Sequence, residues 1–79
     1  MMDDRMVGYR CRRGLLELDQ ILVPFFNSHY QQLTEAQKSA FKMLLEQTDP
    51  QLQAWFFGGG DRPKIVATIL KIMQQSLSI

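Results

Sequence analysis

Residues 34–45 read Thr34-Glu35-Ala36-Gln37-Lys38-Ser39-Ala40-Phe41-Lys42-Met43-Leu44-Leu45, and this stretch decides the fold class. Thr34 followed three residues later by Gln37 is a capping box, in which the hydroxyl accepts from the Gln37 amide and the Gln37 side chain reaches back to residue 34. Behind the cap, Ala40, Phe41, Leu44 and Leu45 recur at helical spacing, leaving Lys38, Lys42 and Glu46 for the exposed side. A half-buried strand would need strict apolar–polar alternation, and no segment of the chain shows it.

The same period continues outward in both directions. Leu15, Leu18, Leu22, Phe25 and Phe26, with Ile21 alongside, form one helical face that runs across Pro24, where the missing backbone donor predicts a kink. Residues 4–12 suit a first short helix with Asp3 or Asp4 at its N-terminus, interrupted by Gly14 as a C-terminal cap or as part of the next helix. After the capped helix, Asp49-Pro50 is a start signal, with Asp49 accepting the free amides and Pro50 in the first turn. That helix runs to about Phe57 and stops at Gly58-Gly59-Gly60. Asp61 and Pro63 open a last helix with the stripe Ile65, Val66, Ile69, Leu70, Met73 and Leu77. The expectation is an all-α protein, a small five-helix bundle forming a single domain over residues 1–79. Leu18, Leu22, Phe41, Leu45 and Ile69 should lie in its core, and Trp55-Phe56-Phe57 should pack inward or on a partner.

Composition narrows the function. With 79 residues, 46% hydrophobic and 22% charged, the chain is globular in character but has material for one core and little else. A binding module is expected rather than an enzyme. The formal charge of +1 argues against a general nucleic-acid binder. The single cysteine, Cys11, permits no internal disulfide, and no apolar run approaches the roughly 20 residues of a membrane span. Met1-Met2-Asp3-Asp4-Arg5 lacks the apolar stretch of a signal peptide, so the expectation is a cytoplasmic protein without membrane insertion.

Chemistry-bearing patterns are sparse. His29 is the one histidine, and no serine or cysteine stands in a recognisable nucleophile relation to it. One Cys and one His cannot make a four-ligand zinc site. The glycine run at 58–60 follows no strand and lacks the lysine spacing of a phosphate loop, so it reads as an interhelical turn. No strand-glycine-helix unit for a dinucleotide is present, and no tightly bound cofactor is expected.

The unusual segment is Tyr9-Arg10-Cys11-Arg12-Arg13-Gly14-Leu15-Leu16-Glu17-Leu18-Asp19, since four of the five arginines fall between Arg5 and Arg13. If the segment is helical through Gly14, Arg13 and Glu17 share a face and form an ion pair worth about 0.3–0.5 kcal/mol. A glycine inside a helix costs roughly 0.8–1 kcal/mol relative to alanine, so Gly14 calls for a reason. Two remain open: simple capping, or a bare patch between a guanidinium and a carboxylate on which a partner backbone docks.

At this point the sequence resembles the SdhE/YgfY family of flavinylation factors, whose mitochondrial relatives assist succinate dehydrogenase assembly. The family's Arg-Gly-x-x-Glu hallmark stands here as Arg13-Gly14-Leu15-Leu16-Glu17. Cys11-Arg12 before it and Leu18-Asp19 after it fit the pattern, as do Pro24-Phe25-Phe26, Tyr30, Leu33-Thr34, Leu44-Leu45-Glu46, Asp49-Pro50, Leu52 and Trp55. Tyr9 stands where relatives often carry a bulkier aromatic. The match covers about residues 9–57, and residues 61–79 resemble the family only as a closing amphipathic helix.

The resemblance implies a small helical chaperone that binds the flavoprotein subunit of succinate dehydrogenase, and often that of fumarate reductase. It would promote covalent attachment of FAD to a histidine of that subunit, holding no cofactor of its own. Arg13, Gly14 and Glu17 are then the first partner contacts, with Arg10, Arg12, Asp19 and Tyr9 around them. A monomer when free is expected. The competing reading is an antitoxin-like or other regulatory interaction module, and nucleic-acid binding through Arg5, Arg10, Arg12 and Arg13 is disfavoured by Glu17 and Asp19 beside them.

Overall fold

The computed structural model describes residues 3–58 and 61–77. Its elements are α1 (Asp4–Arg10), α2 (Leu16–His29), a 3-10 turn (Tyr30–Gln32), α3 (Glu35–Leu45), α4 (Asp49–Gln53), a π-helical turn (Ala54–Gly58) and α5 (Lys64–Leu77). Five α-helices and no strand are present among the described residues. α3 packs most extensively against α5, α5 also meets α2, and α1 leans on α3. The result measures 28 × 27 × 26 Å, close to a sphere, which minimises exposed area for so short a chain.

Local chemistry accounts for the helix ends. Asp3 accepts from the Met6 amide at 2.8 Å and starts α1. The capping box at α3 is complete, with Gln37 N–H donating to Thr34 Oγ1 at 3.1 Å and Thr34 N–H donating to Gln37 Oε1 at 2.9 Å. At α4 the structure corrects the expectation. Thr48 is the N-cap, its hydroxyl accepting from Gln51 N–H at 3.3 Å, and Asp49 is the first helical residue. With two capping residues in succession, only one can take the cap position, and the side chain of Asp49 is released for another use.

α2 runs unbroken through Pro24. Pro24 is exposed, so water can take up the Gln20 carbonyl that loses its donor. α1 ends at Arg10, earlier than the expected residue 12, and Gly14 belongs to neither helix.

The core gathers Val7 and Cys11 from the first segment, Leu18, Leu22 and Phe25 from α2, Phe41, Leu44 and Leu45 from α3, and Val66, Ile69, Leu70 and Met73 from α5. All five core residues named from sequence are fully buried. Ile65 is the exception in the last stripe: it is exposed, while Val66 beside it takes the inward position. Leu77's side chain and Gly59-Gly60 lie outside the described residues.

Trp55 turns inward, Phe56 is half-buried and Phe57 is exposed. Tyr30 is buried against Phe26 and Phe41, with ring centroids 5.0 and 5.8 Å away, and its hydroxyl donates to Asp4 Oδ1 at 3.2 Å. Lys38, expected on the exposed side, is half-buried because its Nζ sits 5.2 Å from the Tyr30 ring centroid.

Candidate functional site

The loop between α1 and α2 holds the arginine-glycine segment. Gly14 has φ +82°, a left-handed value that side-chain-bearing residues rarely adopt. It turns the chain between two helices, so the segment is not helical through Gly14 and Arg13 does not share a helix face with Glu17. The intrahelical Arg13–Glu17 pair is thus replaced by a different arrangement. A Cβ at position 14 would meet nothing within 4 Å, so the glycine is required by its backbone angle, and the ground beside it is open.

Arg13 points into the protein. Its Nε donates to Asp49 Oδ1 at 2.7 Å, its Nη1 to the carbonyls of Leu45 at 2.8 Å and Arg10 at 3.2 Å, and its Nη2 to the carbonyl of Gln47. Its side chain is only 12% exposed. Leu45 ends α3, so the guanidinium neutralises carbonyls at a helix C-terminus while pairing with an acid at the start of α4. Asp19 is committed too: its Oδ1 accepts from the Arg13 backbone N–H at 2.7 Å.

With Arg13 and Asp19 engaged inside, the loop presents a different set outward. Arg10, Arg12 and Glu17 are exposed and have no hydrogen-bond or ion-pair partner for their side chains among the described residues. Tyr9 and Leu16 are 71% and 72% exposed, an unusual state for large apolar side chains flanking one turn. Glu17 sits in the first turn of α2, where the helix dipole favours a carboxylate. Beside Tyr9 and Arg12, a groove of about 420 Å³ opens between α1 and α2, with Arg5 and Asn27 at its sides and Phe26 on its wall.

The reactive side-chain types are elsewhere or sealed. Cys11 is buried, and desolvation pushes its thiol up to about 12 despite the opposing pull of Arg13. His29 stacks on Phe25 with centroids 5.4 Å apart and planes 10° from parallel. It ends α2, about 20 Å along the axis from Leu16 at 1.5 Å per residue. Among the described residues, no group of three His, Cys, Asp or Glu side chains could hold a metal ion, and no helix is long and apolar enough to cross a membrane.

Two participants are not marked by the sequence pattern. Leu16 occupies a variable position inside Arg-Gly-x-x-Glu, and Asp49 reads from sequence as a cap. A signal for Asp49 was available, since Thr48 directly before it could serve as the cap and leave the carboxylate without a task.

Residues 5–76 match the protein family described as "Flavinator of succinate dehydrogenase". The FAD assembly factor SdhE of Aliivibrio fischeri is 43% identical over 74 residues, covering 91% of this chain and 86% of that protein. The protein of the same description from Vibrio cholerae is 40% identical over 74 residues, with the same shares of 91% and 86%. That of Shewanella oneidensis is 47% identical over 58 residues, 73% of this chain and 71% of its own.

Proposed function

This chain belongs to the family of flavinators of succinate dehydrogenase, and we propose on that premise that it binds the flavoprotein subunit of succinate dehydrogenase and promotes covalent attachment of FAD to it. The observation that carries the reading is the exposed strip around Gly14: Tyr9, Arg10, Arg12, Leu16 and Glu17 face outward, and their side chains have no hydrogen-bond or ion-pair partner among the described residues. Exposed apolar side chains interleaved with unpaired charges of both signs suit a protein partner better than a polyanion.

The chain acts as an assembly factor without catalytic groups of its own. The flavin and the histidine that accepts it belong to the partner, and this protein holds no cofactor tightly. Leu16 and Tyr9 give up exposed apolar area on docking, Arg10 and Arg12 donate to carboxylates or carbonyls of the partner, and Glu17 accepts from its donors. The bare Gly14 lets a partner backbone come close. Binding that favours the partner conformation in which histidine and flavin meet raises its population tenfold for each ~1.4 kcal/mol of differential affinity. The same surface serves the flavoprotein of fumarate reductase, the free protein is a monomer, and its place of action is the cytoplasm, where the free thiol of Cys11 is kept reduced.

The test is to produce the flavoprotein subunit with and without this protein and to read covalent flavin by in-gel fluorescence. Stronger fluorescence with the protein present supports the reading. Equal fluorescence in both sinks it and leaves the regulatory interaction module.

A further inference from the structure

Arg13 is held at two places. Asp19 Oδ1 accepts from its backbone N–H at 2.7 Å, and the guanidinium spans to the α3–α4 junction, where Asp49, 36 residues on, is its one charged partner among the described residues. The next residue is Gly14, at φ +82°, and nothing packs where its side chain would be. Cys11 before the turn and Leu15 after it pack on the core, and between them the grip on Arg13 is the polar hold on the turn that presents Leu16 and Glu17.

We propose that Asp49 is a positioning residue for partner engagement: through Arg13 it locks the Gly14 turn and so sets where Tyr9, Arg12, Leu16 and Glu17 meet the flavoprotein. This rests on the function proposed above and deepens it. The carbonyls of Leu45, Gln47 and Arg10 satisfy donors of the guanidinium but supply no countercharge. Asp49 does, from a side chain that is 34% exposed, against the 12% of the Arg13 side chain it pairs with. Without the carboxylate, a largely buried cation loses its compensation and hydration pulls it outward, releasing one of the two grips. Asp49 can take this role because Thr48 has already capped α4.

The test compares the full chain with Asp49→Ala, Asp49→Asn, Glu17→Ala and the double variant Asp49→Ala/Glu17→Ala. Affinity for the flavoprotein subunit is measured below the lowest melting temperature of the set, and exchange of the Arg13 amide is followed by NMR in the free proteins. Asp49→Ala should weaken binding about tenfold and speed Arg13 amide exchange, while amides of α3 and α5 stay as protected as before. Asp49→Asn, which keeps an acceptor oxygen but no charge, should fold even if Asp49→Ala does not, and should show a smaller loss of the same kind. In the Glu17→Ala background, Asp49→Ala should cost clearly less than tenfold, because one of the groups that the turn positions is gone. Fully multiplicative losses would mean that Asp49 touches the partner itself, and would overturn the proposal. So would unchanged affinity of both Asp49 variants alongside a weakened Glu17→Ala. If the unsubstituted chain does not bind the flavoprotein at all, the proposed function falls and this inference with it.

Discussion

Gly8 on α1 lies so close to the Phe26 ring on α2 that a Cβ at position 8 would stand 3.2 Å from Phe26 Cε2. Mid-helix glycine costs roughly 0.8–1 kcal/mol against alanine, and here the close approach of the ring explains it. The neighbour is the far end of a half-buried side chain, which can yield by a few tenths of an ångström. Gly8→Ala should therefore change stability by less than about 0.5 kcal/mol, propensity and crowding offsetting each other. Gly8→Leu should destabilise by roughly 1–3 kcal/mol. Urea titrations followed by circular dichroism decide it, and a neutral Gly8→Leu would show that α1 and α2 can separate freely.

Gly14 separates conformation from space. Gly14→Ala should destabilise by about 1–2 kcal/mol through its positive φ alone, lowering Tm by some 4–8 °C per kcal/mol in a domain of this size. Gly14→Arg should lower Tm by a similar amount, because there is open space around position 14, yet it should abolish promotion of flavin attachment by blocking close approach. A Gly14→Arg variant that unfolds outright while Gly14→Ala melts normally would contradict the open surroundings.

Glu17 and Leu18 are neighbours on α2, roughly 100° apart around its axis, one exposed and one fully buried. Glu17→Ala should leave Tm within a few degrees and reduce covalent flavin in co-production. Leu18→Asp should unfold the protein, since a buried carboxylate without a partner costs several kcal/mol. Reversal of the two phenotypes would invert the facing of α2.

Cys11 makes a prediction in pH. Burial lifts its thiol from 9.0 to about 12, and Tyr30 is lifted from 10.0 to about 12 by burial first and then by Asp4. Each group keeps its proton longer folded than unfolded, so its stabilising effect is complete below the unfolded pKa and disappears as pH rises towards 12. Urea midpoints should hold steady from pH 7 to about 8.5 and decline above 9. In Cys11→Ala the decline should start nearer 10, where Tyr30 takes over. At pH 8 the native thiol should react with a thiol reagent at least tenfold more slowly than in denaturant, and equal rates would place Cys11 on the surface.

Much of the helical framework was legible because its causes are local. Thr34 and Gln37 cap within one turn, and the α3 face of Ala40, Phe41, Leu44 and Leu45 needs only the helical period. Ile65 shows the limit of that period: it and Val66 are adjacent, and only the seat of α5 against α2 and α3 decides which one turns inward.

The site was half legible. Sequence by itself determined that the chain is all-helical, that one core uses most of its apolar residues, and that the segment around Gly14 is the exceptional one. Those properties follow from neighbours within a few residues. Tertiary structure alone decided the division of labour in that segment. Arg13 turns inward because an acid at 49 and carbonyls at 45 and 47 converge on it, a convergence that no local spacing encodes. Arg12 and Glu17 are left outside, with Tyr9 and Leu16, because no inward-facing group among the described residues meets them. Periodicity tells a residue which side of its own helix it occupies, but what it meets there depends on helices brought together by the collapse of the whole chain.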